Sequence, residues 1–124
     1  MGSVDFVPRS YVYLHWSGAP LTSAEFRALY VHARNLLERH ALKAILADHH
    51  AMPAAPDAAD REWLLGQWLP ETTAATSLTR YAALPTPDPG RRLHTEQVLA
   101  GLRRHLQVGV FDDLDRARAW LQAG

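Results

Sequence analysis

The stretch that decides the fold is Gln107-Val-Gly-Val-Phe-Asp-Asp-Leu-Asp-Arg-Ala-Arg-Ala-Trp-Leu-Gln122. It reads as a short buried strand, two acidic residues and then an amphipathic helix. Asp112 and Asp113 suit an N-cap, because a short carboxylate accepts from the free amides of a first helical turn. Leu114, Ala117, Trp120 and Leu121 recur behind them at helical spacing. The chain therefore closes on a strand–helix unit, and the rest of it repeats that grammar.

Upstream, Tyr11-Val-Tyr-Leu-His-Trp16 is a strand by β-propensity. Val12, Leu14 and Trp16 share one of its faces, and Tyr11, Tyr13 and His15 share the other. Neither face is plainly polar, so both are expected to be at least partly covered. Residues 1–10 read as an edge strand or a flexible N-terminus. Thr22-Ser-Ala-Glu25 is a capping box. It opens a helix over 23–40 whose apolar stripe is Phe26, Leu29, Tyr30, Ala33, Leu36 and Leu37.

Leu42-Lys-Ala-Ile-Leu-Ala47 is a strand-length apolar run, the pattern of a strand covered on both faces. A second helix is expected over 57–68, stopped or kinked by Pro70, with a further turn over 71–75. A weaker strand follows over 78–84, then a Pro-rich loop, a third helix over 93–105 and the closing strand over 106–111. The order β-α-β-α-β-α-β-α argues for a single α/β domain. It would hold a four- or five-stranded, mixed and largely parallel sheet with helices on its faces. Phe26, Leu36, Ile45, Trp68, Leu99, Val108 and Trp120 are expected to be largely buried.

Composition narrows the function classes. At 124 residues the chain can bury a sizeable core without staples. It has no cysteine, which excludes disulfides, thiolate metal sites and cysteine nucleophiles and suits a reducing cytoplasm. No window approaches the ~18 apolar residues of a spanning helix, and the first residues lack the pattern of a secretory signal. Thirteen basic and thirteen acidic residues cancel, so the basic surplus typical of nucleic-acid binding is missing. The charge is uneven along the chain. Asp57, Asp60, Glu62 and Glu71 face Arg61 alone over 57–71, whereas Arg91, Arg92, Arg103 and Arg104 face Glu96 alone over 91–104. These are either two solvated helix faces or two complementary patches.

Three local patterns, Trp63-Leu-Leu-Gly-Gln-Trp68-Leu-Pro70, Phe111-Asp-Asp113 and Ala117-Arg-Ala-Trp120-Leu121, occur together. With them the chain resembles the SpoIIAA-like proteins, also called STAS/SEC14-like domains. The match is nearest to small stand-alone bacterial members, and it covers most of residues 11–122. The resemblance implies a four- or five-stranded mixed sheet with helices on its faces, and no single activity. The best-known branch consists of anti-sigma-factor antagonists, switched by phosphorylation of a serine just before the second helix. Here that region reads Pro53-Ala-Ala-Pro-Asp57-Ala-Ala-Asp60, and no Ser or Thr lies between Asp48 and Thr72. The acceptor hydroxyl for such a switch is missing. Another branch resembles lipid-transfer domains, which would need an apolar cavity.

Candidate chemistry gathers where parallel strands end. Asp48, His49 and His50 fall on the carboxyl rim, the usual ligand edge of open α/β sheets. Thr86, Asp88, Asp112 and Asp113 follow other strands and would share that rim. Two histidines and a carboxylate are acceptable metal ligands, although adjacent histidines after a strand point apart and no H-x-x-x-H pair pins a site. His15, between tyrosines, reads as a structurally satisfied histidine. Gly90-Arg91-Arg92, opening a helix, offers amides and two guanidiniums to an anion, or is a solvated turn. There is no nucleophile elbow and no phosphate-cradling glycine loop.

The tryptophans are core anchors, or, where exposed, partner anchors. The sequence thus yields three functional expectations. The first is a non-catalytic binding or regulatory module acting through protein contacts, with Trp63, Trp68, Arg103 and Arg104 at the partner surface. That partner is a different protein or a second copy in a weak homodimer. The second is a carrier of a small apolar or amphipathic ligand. The third is a metal-assisted enzyme at Asp48–His50. No cofactor is called for by any motif.

Overall fold

In the computed structural model, residues 2–16, 22–49, 58–84 and 89–122 are described, with residues 2, 3 and 89–95 described by their backbone alone. Five strands form one sheet in sequential order: β1 (Gly2–Val7), β2 (Tyr11–Trp16), β3 (Ala44–Asp48), β4 (Arg80–Leu84) and β5 (Gln107–Val110). β1 and β2 form an antiparallel hairpin, and every later pair is parallel. The expected α/β sheet is therefore present, with the N-terminal residues as a full edge strand. Val7–Ser10 make the hairpin turn, closed by the Ser10 amide on the Val7 carbonyl at 3.0 Å. Pro8 suits its first corner, but Arg9 sits at φ 63° in the second, where glycine is the usual residue.

Sequential strand order with right-handed crossovers puts every crossover helix on one face. These are α1 (Ser23–His40), the helix running from α2 (Ala58–Trp63) through a π-helical turn (Leu64–Trp68) into α3 (Leu69–Ala75), and α4 (Pro89–Leu102). Their apolar side chains meet Val12, Leu14, Trp16, Ile45, Ala47, Tyr81 and Ala83 of the sheet. The other face is left to α5 (Leu114–Gln122), which lays Ala117 and Leu121 on Tyr11, Ala44, Leu46, Ala82 and Leu84. Small residues permit the close approach. At Gly109 an added Cβ would lie 2.6 Å from the Phe111 ring, which folds back over the strand.

Local signals explain the helix ends. The Thr22 hydroxyl accepts from the Glu25 amide at 3.2 Å and the Glu25 carboxylate accepts from the Thr22 amide at 3.2 Å, closing the capping box. Asp113 accepts from the Asp115 amide at 2.9 Å and caps α5.

Of the two outcomes the sequence left open at Pro70, a stop or a kink, the helix takes a local distortion and runs on, and the further turn expected over 71–75 forms. Proline has no N–H for the carbonyl four residues back, and its ring crowds that carbonyl. The chain absorbs this by widening one turn, so that the Leu69 amide reaches back five residues to the Leu64 carbonyl. Helix then continues to Ala75.

The predicted core is correct for Phe26, Leu36, Ile45, Trp68 and Leu99, all buried. Val108 and Trp120 are only half-buried. Val108 is on an edge strand. Trp120 lies on the flank of α5, between the Phe111 ring at 5.6 Å and the Arg80 guanidinium at 5.2 Å.

Candidate functional site

Parallel register places the ends of β2 and β3 side by side, with His15 opposite Asp48. The next residues along, Trp16 and His49, then share the face under α1. Their rings stack, with centroids 4.5 Å apart and 22° between planes. The His49 amide continues the β3–β4 ladder by donating to the Leu84 carbonyl at 2.8 Å, which fixes where the ring can go. His49 is 6 % exposed and Trp16 3 %.

Two nitrogens of this pair, His49 Nδ1 and Trp16 Nε1, are buried with no hydrogen-bond partner among the described residues. A buried polar atom left so costs roughly 1–3 kcal/mol. Native folds rarely hold two of them in one stack.

Burial lowers the His49 pKa to about 4, against a smaller opposing pull from the neighbouring Asp48 carboxylate. The imidazole is therefore neutral near pH 7, with one ring nitrogen donating and the other accepting. The indole N–H only donates. Together they present a donor and a donor–acceptor ring to whatever meets them.

Behind them an aromatic layer is fully satisfied. The Tyr30 and Tyr81 hydroxyls pair at 3.0 Å, and Trp68 Nε1 donates to the Tyr30 carbonyl at 2.6 Å. Burial pushes the Tyr30 phenol up to about 12 and Tyr81 well above its ordinary value, so both stay protonated.

The strand pleat sends Asp48 to the opposite face of the sheet. There its carboxylate accepts from the Tyr13 hydroxyl at 3.4 Å, and the Tyr13 ring meets His15 edge-on at 5.2 Å. Burial, then the Asp48 charge, raise the Tyr13 pKa, while the Arg118 charge lowers it. Arg118 Nε, on α5, is a further buried donor with no partner among the described residues.

Asp48 and His49 thus flank the rim without converging. Asp112 is exposed at the foot of α5 while His49 is buried. Among the described residues no group of three His, Asp or Glu side chains could hold a metal ion. His50, Thr86 and Asp88 lie outside the described residues. Arg91 and Arg92 fall in the first turn of α4, as expected of the backbone, and their side chains are not described. Sequence reasoning singled out His49 but missed Trp16 as its partner. The signal was there: two parallel strands that end on one rim put their last residues in register. Arg118 carried no comparable signal.

The expected partner surface needs correction. Trp68 is fully buried and hydrogen-bonded, so it is not available to a partner. Trp63 is half-buried, with the Arg27 guanidinium 5.4 Å above its ring. The acidic stretch is partly consumed inside the chain. Asp60 is buried and accepts from Arg27 Nε at 3.0 Å and Ser23 Oγ at 2.9 Å, and Glu71 pairs with Arg34 at 3.2 Å. Arg103 and Arg104 are exposed just past α4.

No helix among the described residues is long and apolar enough to cross a membrane. No family model matches the chain, and no curated protein is significantly similar to it.

Proposed function

We propose that this protein is a non-catalytic binding module whose carboxyl rim takes a small polar molecule, with Trp16 and neutral His49 as its hydrogen-bonding pair. One observation carries the reading: two adjacent buried ring nitrogens, stacked and without a partner among the described residues, at the edge where open α/β sheets hold their ligands. A molecule with an acceptor for the indole N–H and a hydroxyl or amide for the imidazole would satisfy both. We assign the module to the SpoIIAA-like class on its sequence patterns, without that class's phosphoserine switch, and to the cytoplasm on its lack of cysteine.

A second reading, contact with another protein, is supported by a shallow groove of about 560 Å³ on the three-helix side. Ala58, Leu65, Gly66 and Val98 give it an apolar floor, with Arg61 and Glu62 at its edge. The apolar-carrier reading is less favoured, because Trp68, Tyr30 and Tyr81 fill the space between α1 and the sheet.

The deciding experiment is native mass spectrometry of the protein as purified and after incubation with a small-molecule extract, beside the Trp16→Phe variant. That variant keeps a stacking ring and removes the N–H. Wild type should retain a small molecule that Trp16→Phe loses. If wild type retains nothing and Trp16→Phe is simply more stable, the pair is an unsatisfied packing defect and the rim is no site.

A further inference from the structure

The opposite edge of the sheet, where β3 and β4 begin, holds a cavity of about 660 Å³. Its walls are the β1–β2 turn on one side and the end of α5 on the other. Arg9, His40, Lys43 and Arg80 line it, and among the described residues no Asp or Glu does. Val7, Leu42, Ala44 and Leu121 supply an apolar floor.

Two helices end here. α1 stops at His40 with Ala41 as its cap, and α5 stops at Gln122. Cations are expected near helix C-termini, so the surplus has to be weighed against that demand. Each helix end carries roughly half a negative charge, about one in all. Arg80 already serves α5, donating to the Trp120 carbonyl at 2.7 Å. Arg9, Lys43 and Arg80 bring three full positive charges, so among the described residues lining the cavity about two remain unbalanced even with His40 left aside.

Backbone geometry points to the same place. Among the described residues, the non-glycine positions with positive φ are Arg9 at 63° and Ala41 at 51°, and both line this cavity. Glycine would suit either position better. Arginine at the turn's second corner is locally unfavourable and places a guanidinium at the mouth of a cavity already rich in cations. Strain kept at such a point is a mark of use.

We propose that this cavity binds a dianionic phosphate monoester. The phosphate would sit between Arg9 and Lys43, and the apolar part of the molecule would lie on the floor formed by Val7, Leu42 and Leu121. A bidentate guanidinium and an ammonium fit phosphate oxygens, two surplus charges match a dianion, and the volume fits a small molecule. The site is separate from the carboxyl rim, and its failure would leave the Trp16–His49 reading untouched.

The test is calorimetric titration of the full chain with phenyl phosphate, using benzoate as the monoanionic comparator. Phenyl phosphate should bind at least about tenfold more tightly than benzoate, and added salt should weaken it. Lys43→Ala and Arg9→Gly should each weaken it by about tenfold. Arg9→Gly should do so with an unchanged or higher melting temperature, because it relieves the turn. Ala41→Gly relieves a left-handed residue without removing charge, and should leave affinity as in wild type. Vesicles of phosphatidylcholine with and without phosphatidate assign the source. Binding to the phosphatidate vesicles makes the phosphate a lipid headgroup, whereas binding of phenyl phosphate alone makes it that of a free metabolite. Equal affinity for benzoate and phenyl phosphate, or wild-type affinity in both charge-removing variants, would overturn the proposal.

Discussion

Lowering the pH should destabilise this protein through His49, and the size of the effect follows from the structure. The ring is buried against Trp16 and its pKa falls from an ordinary 6.5 to about 4. Between those values the unfolded chain binds a proton that the folded chain does not. Folding stability therefore rises with pH across this window and is lost as pH falls through it. At 1.36 kcal/mol per pH unit, about 2 kcal/mol is gone by pH 5 and about 3 kcal/mol by pH 4. Other groups titrate in the same range, so the measurement must be a difference. Urea unfolding of wild type and of His49→Phe, which keeps a ring on Trp16 and cannot titrate, would be followed from pH 7 to pH 4. Wild type should lose about 3 kcal/mol more than the variant over that span. A difference under about 1 kcal/mol, or a His49 imidazole proton signal titrating near pH 6.5, would refute the buried neutral ring.

Three further outcomes are expected. Thr72 is fully buried with its hydroxyl unpartnered among the described residues, so Thr72→Val, equal in shape, should stabilise by about 1 kcal/mol in thermal unfolding; a loss would reveal a hidden partner. Trp68→Phe leaves the Tyr30 carbonyl without its indole donor and opens space in the core, and should cost roughly 2–4 kcal/mol by urea titration; a cost under about 1 kcal/mol would contradict its anchoring role. Asp60→Ala strips the buried acceptor from Arg27 and Ser23 and should cost about 1–3 kcal/mol, less than a fully buried pair because Arg27 is 40 % exposed; the same loss in Asp60→Asn would show that charge matters more than packing.

The fold was largely legible, because each element announced itself by a physical necessity. The 42–47 run is apolar on both faces since β3 is a central strand with α1 on one side and α5 on the other. The weakness of β4 as a sequence signal has the same origin: Ala82 and Ala83 are small because a helix lies close on each face. Proline left two outcomes open. Its missing N–H ends or distorts a helix, and no pattern of neighbours announces that the chain will widen a turn and continue. Trp120 did mislead. Its spacing matches the buried stripe of α5, but among the described residues α5 is the one helix on its face, and no neighbouring helix covers the flank of that stripe.

The rim and the amino-end cavity differ in how much a sequence can say of them. The rim depends on strand ends, and strand ends are visible; once β2 and β3 are parallel neighbours, Trp16 beside His49 is a matter of register. The cavity depends on a turn, two helix ends and a strand start brought together from residues 7–10, 40–44, 79–80 and 121–122, and no spacing rule joins them. Even Arg9 looks ordinary in sequence, since Pro-Arg-Ser is an unremarked turn until φ is known. The charge balance that looked informative, acidic 57–71 against basic 91–104, is drained by α1, whose Arg27 and Arg34 take Asp60 and Glu71. An electrostatic feature survives folding only where its counter-charges are absent from the neighbouring elements. By that criterion the cations around Arg9 and Lys43 are the stronger signal.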